Sequence, residues 1–519
     1  MHIKRAKQEI LDSIEAYLQK DEDGHYLIPS FRQRPILLMG PPGIGKTQIM
    51  EQIARKCGIA LVSYTITHHT RQSAVGLPFI REKVYQDRTC SVTEYTMSEI
   101  IASVYEKMER TGLKEGILFL DEINCVSETL APTMLQFLQC KMFGNQKVPE
   151  GWIIVAAGNP PEYNKSVREF DIVTLDRLKR IDIEENYNVW REYAYEAGID
   201  PVILAYLELR KSHFYRVENT VDGKQFVTAR GWEDLSELLK VYRMLGKKAD
   251  REVVHQYLQN WEVAKEFANY MELYEKYKKD YGLEKIVQGV YSKETLEKLR
   301  FASFDERFSI VGMLSGKLCE FFRAYCVEDE KTARLYDALK NCKEKKDLEA
   351  VIRERREDYL AKKRADLLSG EAEKLERAVL EELESYSRQW QLRTEKAGDS
   401  GWEAEFAFIK ERFSLQTKQR ENVIDKTMDA LEHTFCFLEE AFGESQEMAA
   451  FLAELHTNGD SIRFLRENDC PYYYKYNKGL LFDERQKEIL TEMENLEKSI
   501  DRSLTVSYTH LTLPTILRV

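Results

Sequence analysis

No run in this chain approaches the roughly 18 consecutive apolar residues that a membrane-spanning helix needs. The opening segment MHIKRAKQEILDSIEAYL mixes charged and apolar side chains at helical period, which is the pattern of an amphipathic helix and not of a secretory leader. A cytoplasmic protein without a membrane association is therefore expected. Excess positive charge is also missing: 76 Lys and Arg stand against 88 Asp and Glu, a net charge of -12. The chain as a whole thus has no field that would gather nucleic acid or an anionic membrane. The nine cysteines include no C-x-x-C pair and are irregularly spaced, a poor disulfide framework in a chain this long, so reduced and mostly buried thiols are expected. His68 and His69 are adjacent, but no Cys or carboxylate stands at zinc-like spacing around them, so they do not suggest a metal centre.

What is present suits a large, helix-rich protein. A length of 519 residues exceeds what one core usually organises, so two or three domains are expected. Hydrophobic residues at 43% can fill those cores, while charged residues at 32% fit long helices with wet outer faces.

Five short apolar runs alternate with helical patterns in the first third: Ile36 to Met39, Ala60 to Tyr64, Ile117 to Leu120, Trp152 to Ala157 and Ile181 to Ile183. Such alternation predicts an α/β core, a parallel five-stranded sheet with flanking helices. Residues 1–34 are then an N-terminal helix and linker, and 35–186 the core. The mixed segment Gly76 to Thr96 reads as a surface insertion, a hairpin in which Phe79, Tyr85 and Tyr95 are expected to pack, with a grip on a client chain as the alternative use. Residues 187–247 read as a small helical subdomain, with helices over Asn188 to Glu196, Pro201 to Ser212 and Trp232 to Leu245 and a hairpin turn at Asp222-Gly223.

From 248 to 501 nearly everything has helical period. Leu375, Val379, Leu383, Tyr386 and Trp390 form one apolar stripe, expected to pack between helices. Residues 502–519 contain no acidic residue, and VSYTHLTLPT resembles translated adaptor sequence. This tail is expected to lie outside the fold and to be dispensable for it.

The chemistry is concentrated in the first half. The run ILLM leads into Gly40-Pro41-Pro42-Gly43-Ile44-Gly45-Lys46-Thr47 and then, from Gln48, into a helical pattern. That is the strand, loop and helix context of a phosphate-binding loop. Glycines let backbone N–H groups turn toward phosphates, the helix N-terminus adds partial positive charge, Lys46 can reach the β- and γ-phosphates, and Thr47 can ligate Mg²⁺. A chance match in a chain of this length is expected on the order of once in fifty.

The run GILFL then ends in Asp121 and Glu122, two carboxylates at the end of a core strand, where they would face that loop. Asp121 is suited to hold Mg²⁺, and Glu122 to polarise an attacking water as general base. Asn159 closes the run WIIVAAG, where its amide could orient that water. Arg177 and Arg180 fall just before the last expected strand, and either could serve a neighbouring subunit's γ-phosphate as an arginine finger.

Taken together, GPPGIGKT, LFLDEIN, VAAGNPP, LDR and VTARGWEDLSELL resemble the AAA+ superfamily, and more closely its MoxR-like branch. The likeness spans roughly Ile36 to Leu245. It implies ATP and Mg²⁺ as cofactors, a helical lid over 187–247, and a ring, usually hexameric, with sites between subunits. It also implies that Asn159 is sensor 1 and Arg230 sensor 2, and that a partner carrying a von Willebrand factor A domain exists. One departure is Leu178, where the family usually has Phe after the Asp-Arg pair, which leaves Arg177 and Arg180 as competitors for the finger role.

The expected function is therefore ATP hydrolysis by a chaperone-like remodeler of a protein client. Two alternatives differ in class. One is a DNA-linked motor such as the nucleotide-hydrolysing subunit of a restriction system, for which Pro471-Tyr-Tyr-Tyr-Lys-Tyr476 offers stacking rings and Lys343 to Arg364 a basic but acid-interleaved helix. The other is a helical scaffold in which nucleotide only fixes an assembled state, and the presence of Glu122 argues against it.

Overall fold

The computed structural model describes residues 1–477 apart from 69–70, 86–87, 144–145, 164–166, 168–169, 221–222 and 398–400. His69, Asp222 and the tail after Asp501 lie outside the described residues. Contacts divide the chain into two units: Met1–Tyr274 with Val327–Asn422, and Glu275–Cys326 with residues from Val423 onward.

The first unit is built on a five-stranded parallel sheet: β1 (Ile36–Met39), β2 (Ala60–Thr65), β3 (Gly116–Asp121), β4 (Trp152–Gly158) and β5 (Lys179–Asp182), in spatial order β2-β3-β4-β1-β5. Alternate residues of the strands feed two separate cores, as the pleat requires. Leu37, Leu118, Leu120 and Ile154 face a cluster completed by Ile100, Ile101, Phe137 and Leu138 from the helices Glu99–Thr111 and Ala131–Cys140. Ile36, Leu38, Phe119 and Val155 face Ile10, Ile14, Ile49 and Ile53 from α1 (Ile3–Leu18) and α2 (Lys46–Cys57). Each such side chain contributes about 1.5–3 kcal/mol by leaving water, so the sheet is a stiff platform for whatever its strand ends carry.

One strand differs from the reading of the sequence. β5 spans Lys179–Asp182 because it pairs with β1 from Ile36↔Lys179 to Met39↔Asp182. Arg180 is therefore inside the strand, and only Arg177 precedes it. Helix limits shift too. The helix expected to reach Ser212 stops at Leu209, where Arg210 leaves helical geometry at φ -131, and a 3-10 turn, Lys211–His213, follows. The helix expected from Trp232 starts at Ala229, because the Thr228 side chain caps it by accepting from the Gly231 amide. Arg230 thus stands in its first turn.

Between β2 and β3 the expected insertion is an antiparallel hairpin, Pro78–Tyr85 with Arg88–Tyr95. Gly76 closes its neck at φ +100, and a Cβ there would come within 2.1 Å of the Thr96 carbonyl oxygen, so no other residue fits. Phe79, Ile80, Val84, Tyr85 and Tyr95 are exposed, contrary to the expected packing. A lone two-stranded hairpin has no second layer to cover either face.

The small subdomain comprises helices Tyr187–Glu196, Pro201–Leu209 and Ala229–Met244 and the hairpin Arg216–Thr220 with Gly223–Val227. Its centre is Trp232, fully buried, whose indole N–H lies 3.2 Å from the carbonyl oxygens of His213 and Phe214. Phe267, from the helix Trp261–Tyr281, meets it edge-on at 5.1 Å.

In the rest of the first unit the expected stripe is buried. Val379, Leu383, Tyr386 and Trp390 pack with Leu335, Leu339, Phe408 and Ile409, while Leu375 at its start is half-buried. The basic helix Leu348–Arg364 commits its charges mainly across to the next helix, through Arg355–Glu376, Arg356–Glu384 and Lys363–Glu373. In the second unit Tyr472 and Tyr476 stack on Phe435, so these rings serve packing. No two cysteines are joined among the described residues, and of the nine only Cys326, Cys342 and Cys470 are fully buried. No described helix is long and apolar enough to cross a membrane.

Candidate functional site

The loop after β1 is shaped by its glycines. A Cβ on Gly40 would meet the Ile183 carbonyl oxygen at 2.8 Å, and Gly43 and Gly45 adopt left-handed φ of 73 and 91. Gly45 is also the N-cap of α2 and no side chain caps it. The first amides of the helix are therefore directed to the loop's concave side with the helix dipole behind them, the arrangement that receives phosphate.

Lys46 is buried, at 8% exposure, and its ammonium donates to the carbonyl oxygens of Gly40 (2.8 Å) and Pro41 (2.7 Å) and to Asn159 Oδ1 (2.9 Å). All three acceptors are neutral. Burial pulls its pKa down to about 8, with the Asp121 carboxylate opposing the shift and the Arg230 charge adding to it. A buried cation with only neutral acceptors is matched to an incoming anion.

β3 delivers the carboxylates. Thr47 Oγ1 donates to Asp121 Oδ2 at 3.0 Å, and the Glu122 amide donates to Asp121 Oδ1 at 2.9 Å. The Thr47 and Asp121 oxygens form a hard donor pair that fits Mg²⁺. Among the described residues no group of three or more His, Cys, Asp or Glu could hold a metal by itself.

Glu122 has φ 56, an unusual value outside glycine; holding it there costs on the order of 1–3 kcal/mol. The turn takes its carboxylate off the strand axis, where Oε2 accepts from Thr67 Oγ1 at 3.0 Å. Asn124, buried, donates to the Asn159 carbonyl at 2.8 Å and lies so close to Gly158 that a Cβ there would come within 2.6 Å of its Oδ1. The backbone that presents Asn159 is thereby fixed.

The small subdomain grips the loop from the other side. The Tyr215 hydroxyl donates to the Pro42 carbonyl (3.0 Å), and the Arg230 amide donates to the Gly43 carbonyl (3.2 Å). Gln48 Nε2 lies 3.3 Å from Glu233 Oε1, which also accepts from the Tyr193 hydroxyl at 2.7 Å. A cleft of about 740 Å³ opens beside Gly43, Ile44, Gly45 and Gln48.

The structure thus gathers the loop residues, Asp121, Glu122, Asn159 and the start of the Arg230 helix. It leaves two arginines outside that set: Arg177 is exposed and donates to Gln139, and Arg180 is exposed and paired with Asp182 at 2.8 Å. The sequence did not single out Thr67, Asn124, Tyr193, Tyr215 or Glu233. Asn124 stood in the LFLDEIN run and Glu233 in VTARGWEDLSELL, the two signals among the five; Thr67, Tyr193 and Tyr215 are ordinary polar residues in turns and helices.

Residues 36–178 match the family model described as "ATPase family associated with various cellular activities (AAA)". The match begins at β1 and takes in the phosphate loop, both carboxylates, Asn159 and Arg177, and it supports an AAA+ ATPase. No curated protein matches the chain.

Proposed function

We propose that this AAA domain hydrolyses ATP as a MoxR-like AAA+ ATPase, working in a ring, of six subunits by resemblance, that remodels a protein client. The observation that carries the hydrolytic part is the Thr47–Asp121 pair at 3.0 Å beside a buried Lys46 and a Glu122 turned off its strand. These are the separate parts of a phosphoryl-transfer site on one platform.

Lys46 and the amides at the start of α2 hold the β- and γ-phosphates. Thr47 and Asp121 would hold Mg²⁺, which when bound would supply charge neutralisation on the phosphate oxygens. Glu122 accepts the proton of the attacking water, with Thr67 orienting its carboxylate until water is in place. Asn159, as sensor 1, donates toward the γ-phosphate or the water, and Arg230, as sensor 2, brings the lid's charge to the phosphates. Arg177, with Arg180 as its competitor, serves a neighbour's site in trans. The exposed Phe79, Ile80 and Tyr85 of the hairpin supply an apolar surface for a client chain, and a von Willebrand factor A protein is the partner that the resemblance suggests.

The test is Glu122→Gln. It should keep ATP and Mg²⁺ affinity while turnover falls by about 10²–10⁴, whereas Lys46→Ala should lose binding itself. Turnover at the wild-type rate in Glu122→Gln would remove Glu122 from the role of base.

A further inference from the structure

The cleft beside the phosphate loop has a wall that the nucleotide motifs do not supply. Its floor is Gly43, Gly45 and Gln48, and its sides are α1 and the helices Tyr187–Glu196 and Ala229–Met244. Its remaining wall is Ser369, Gly370, Glu371 and Lys374, at the start of the helix Gly370–Ala397 in the C-terminal half of the chain.

These four residues are held in place from both directions. Just before them, Asp366 adopts φ 58 and takes Lys107 at 2.7 Å and Arg110 at 3.3 Å, both from the core helix Glu99–Thr111. Lys107 is only 10% exposed, whereas Asp366 and Arg110 are 66% and 63% exposed, so the pairing ties the turn to the edge of the core with its outer side in water. Among them and just after, Ser369 Oγ accepts from the Ala372 amide at 3.2 Å, and Glu373 and Glu376 bind Lys363 and Arg355 of the preceding helix. The wall is thus fastened to the nucleotide-binding core itself.

A volume of about 740 Å³ falls within the roughly 300–1,000 Å³ of small-ligand sites. Lys46 and Thr47 fix the β/γ end of a triphosphate, so the rest of the molecule must leave over Gly45 and Gln48, into this cleft. Ile44, Trp190 and Phe214 offer apolar faces there for a flat base. Glu371 and Lys374, exposed on the outer rim, offer an acceptor and a donor for ribose hydroxyls and the polar edge of the base.

We propose that Glu371 and Lys374 contact the nucleoside of a nucleotide held by the phosphate loop, so that the C-terminal helical half reads nucleotide occupancy directly. This rests on the reading of the loop as a nucleotide site.

The test uses the full chain and two probes with Mg²⁺: a non-hydrolysable ATP analogue, and inorganic tripolyphosphate, which has no nucleoside. Calorimetry on the double variant Glu371→Ala, Lys374→Ala should show affinity for the analogue weakened by about three- to tenfold and affinity for tripolyphosphate unchanged. Hydrogen exchange in the wild type should show 367–377 protected by the analogue and not by tripolyphosphate, an outcome that does not depend on how the variant folds. Unchanged affinity in the double variant, or equal protection by both probes, overturns the proposal. A wild-type protein that binds neither probe overturns the nucleotide reading beneath it.

Discussion

Raising the pH above 8 should weaken nucleotide binding, and Lys46 fixes both the sign and the size of the effect. Burial brings its pKa down from 10.5 to about 8 in the free protein. Phosphate needs the ammonium form, and a bound anion raises that pKa again. Below pH 8 the free site is already protonated and affinity is flat. Above pH 8 binding must take up a proton, and each further pH unit weakens it about tenfold. Between pH 7 and 9.5 the dissociation constant for MgADP should therefore rise by roughly 30-fold.

Folding stability moves in the opposite direction in the same window. Between about 8 and 10.5 the folded chain holds fewer protons on Lys46 than the unfolded chain does, so this group's contribution to stability rises with pH. Lys141, lowered to about 8 by burial alone, adds to that rise. Stability curves therefore sum at least two lysines, while binding isolates Lys46. The assay is calorimetric titration of MgADP from pH 7 to 9.5 in wild type and in Lys46→Arg, whose side chain stays charged throughout. Wild type should slope and the variant should stay flat. A flat wild-type curve, or a slope shared by the variant, would refute the link between the buried ammonium and binding.

Two further outcomes follow from the geometry. Arg177→Ala and Glu122→Gln, each nearly inactive alone, should recover partial ATPase activity when mixed, since an arginine finger is worth on the order of 10³–10⁵ in rate; proven co-assembly without recovery moves the role to Arg180, tested in the same way. Trp232→Ala should destabilise the first unit by about 3–5 kcal/mol, read by urea denaturation, with Trp232→Phe in between because it keeps ring packing and loses the indole donor; a loss below about 1 kcal/mol would show that Trp232 does not organise this subdomain.

The core sheet was legible because its three inner strands are buried on both faces and appear as unbroken apolar runs. ILLM, GILFL and WIIVAAG have few other readings in an alternating context. KRID was placed two residues late for the converse reason. Only Ile181 in it is fully buried, and its charged neighbours gave no apolar edge, so pairing with β1 set the boundary.

The order of strands cannot be read from a single sequence, and with it goes any inference about Thr67. That residue reaches Glu122 only because β2 lies beside β3, with Thr65 opposite Asp121. Tyr215 and Glu233 escaped for a similar reason: each is one polar residue in a subdomain whose position over the loop is a tertiary fact. The wall at Ser369–Lys374 gave no signal at all, being the ordinary charged start of a long helix.

The placement of those unread residues bears on how the site works. Three points of the small subdomain hold two points of the phosphate loop and one in the first turn of α2: Tyr215 the Pro42 carbonyl, the Arg230 amide the Gly43 carbonyl, and Glu233 the Gln48 side-chain amide. Each bond is worth about 0.5–1.5 kcal/mol, and two of the three carbonyl and amide groups belong to the loop's own backbone. The loop cannot shift by an ångström without breaking these bonds or carrying the helix Ala229–Met244 along. Breaking all three costs a sizeable part of a domain's typical 5–15 kcal/mol, whereas moving a helix whose centre, Trp232, is packed as one body with Tyr206 and Phe267 leaves that core intact. The cheaper course is motion of the subdomain as a block. Arg230 stands in the first turn of that same helix, so any rearrangement of the loop around the phosphates displaces the arginine's backbone by a similar amount.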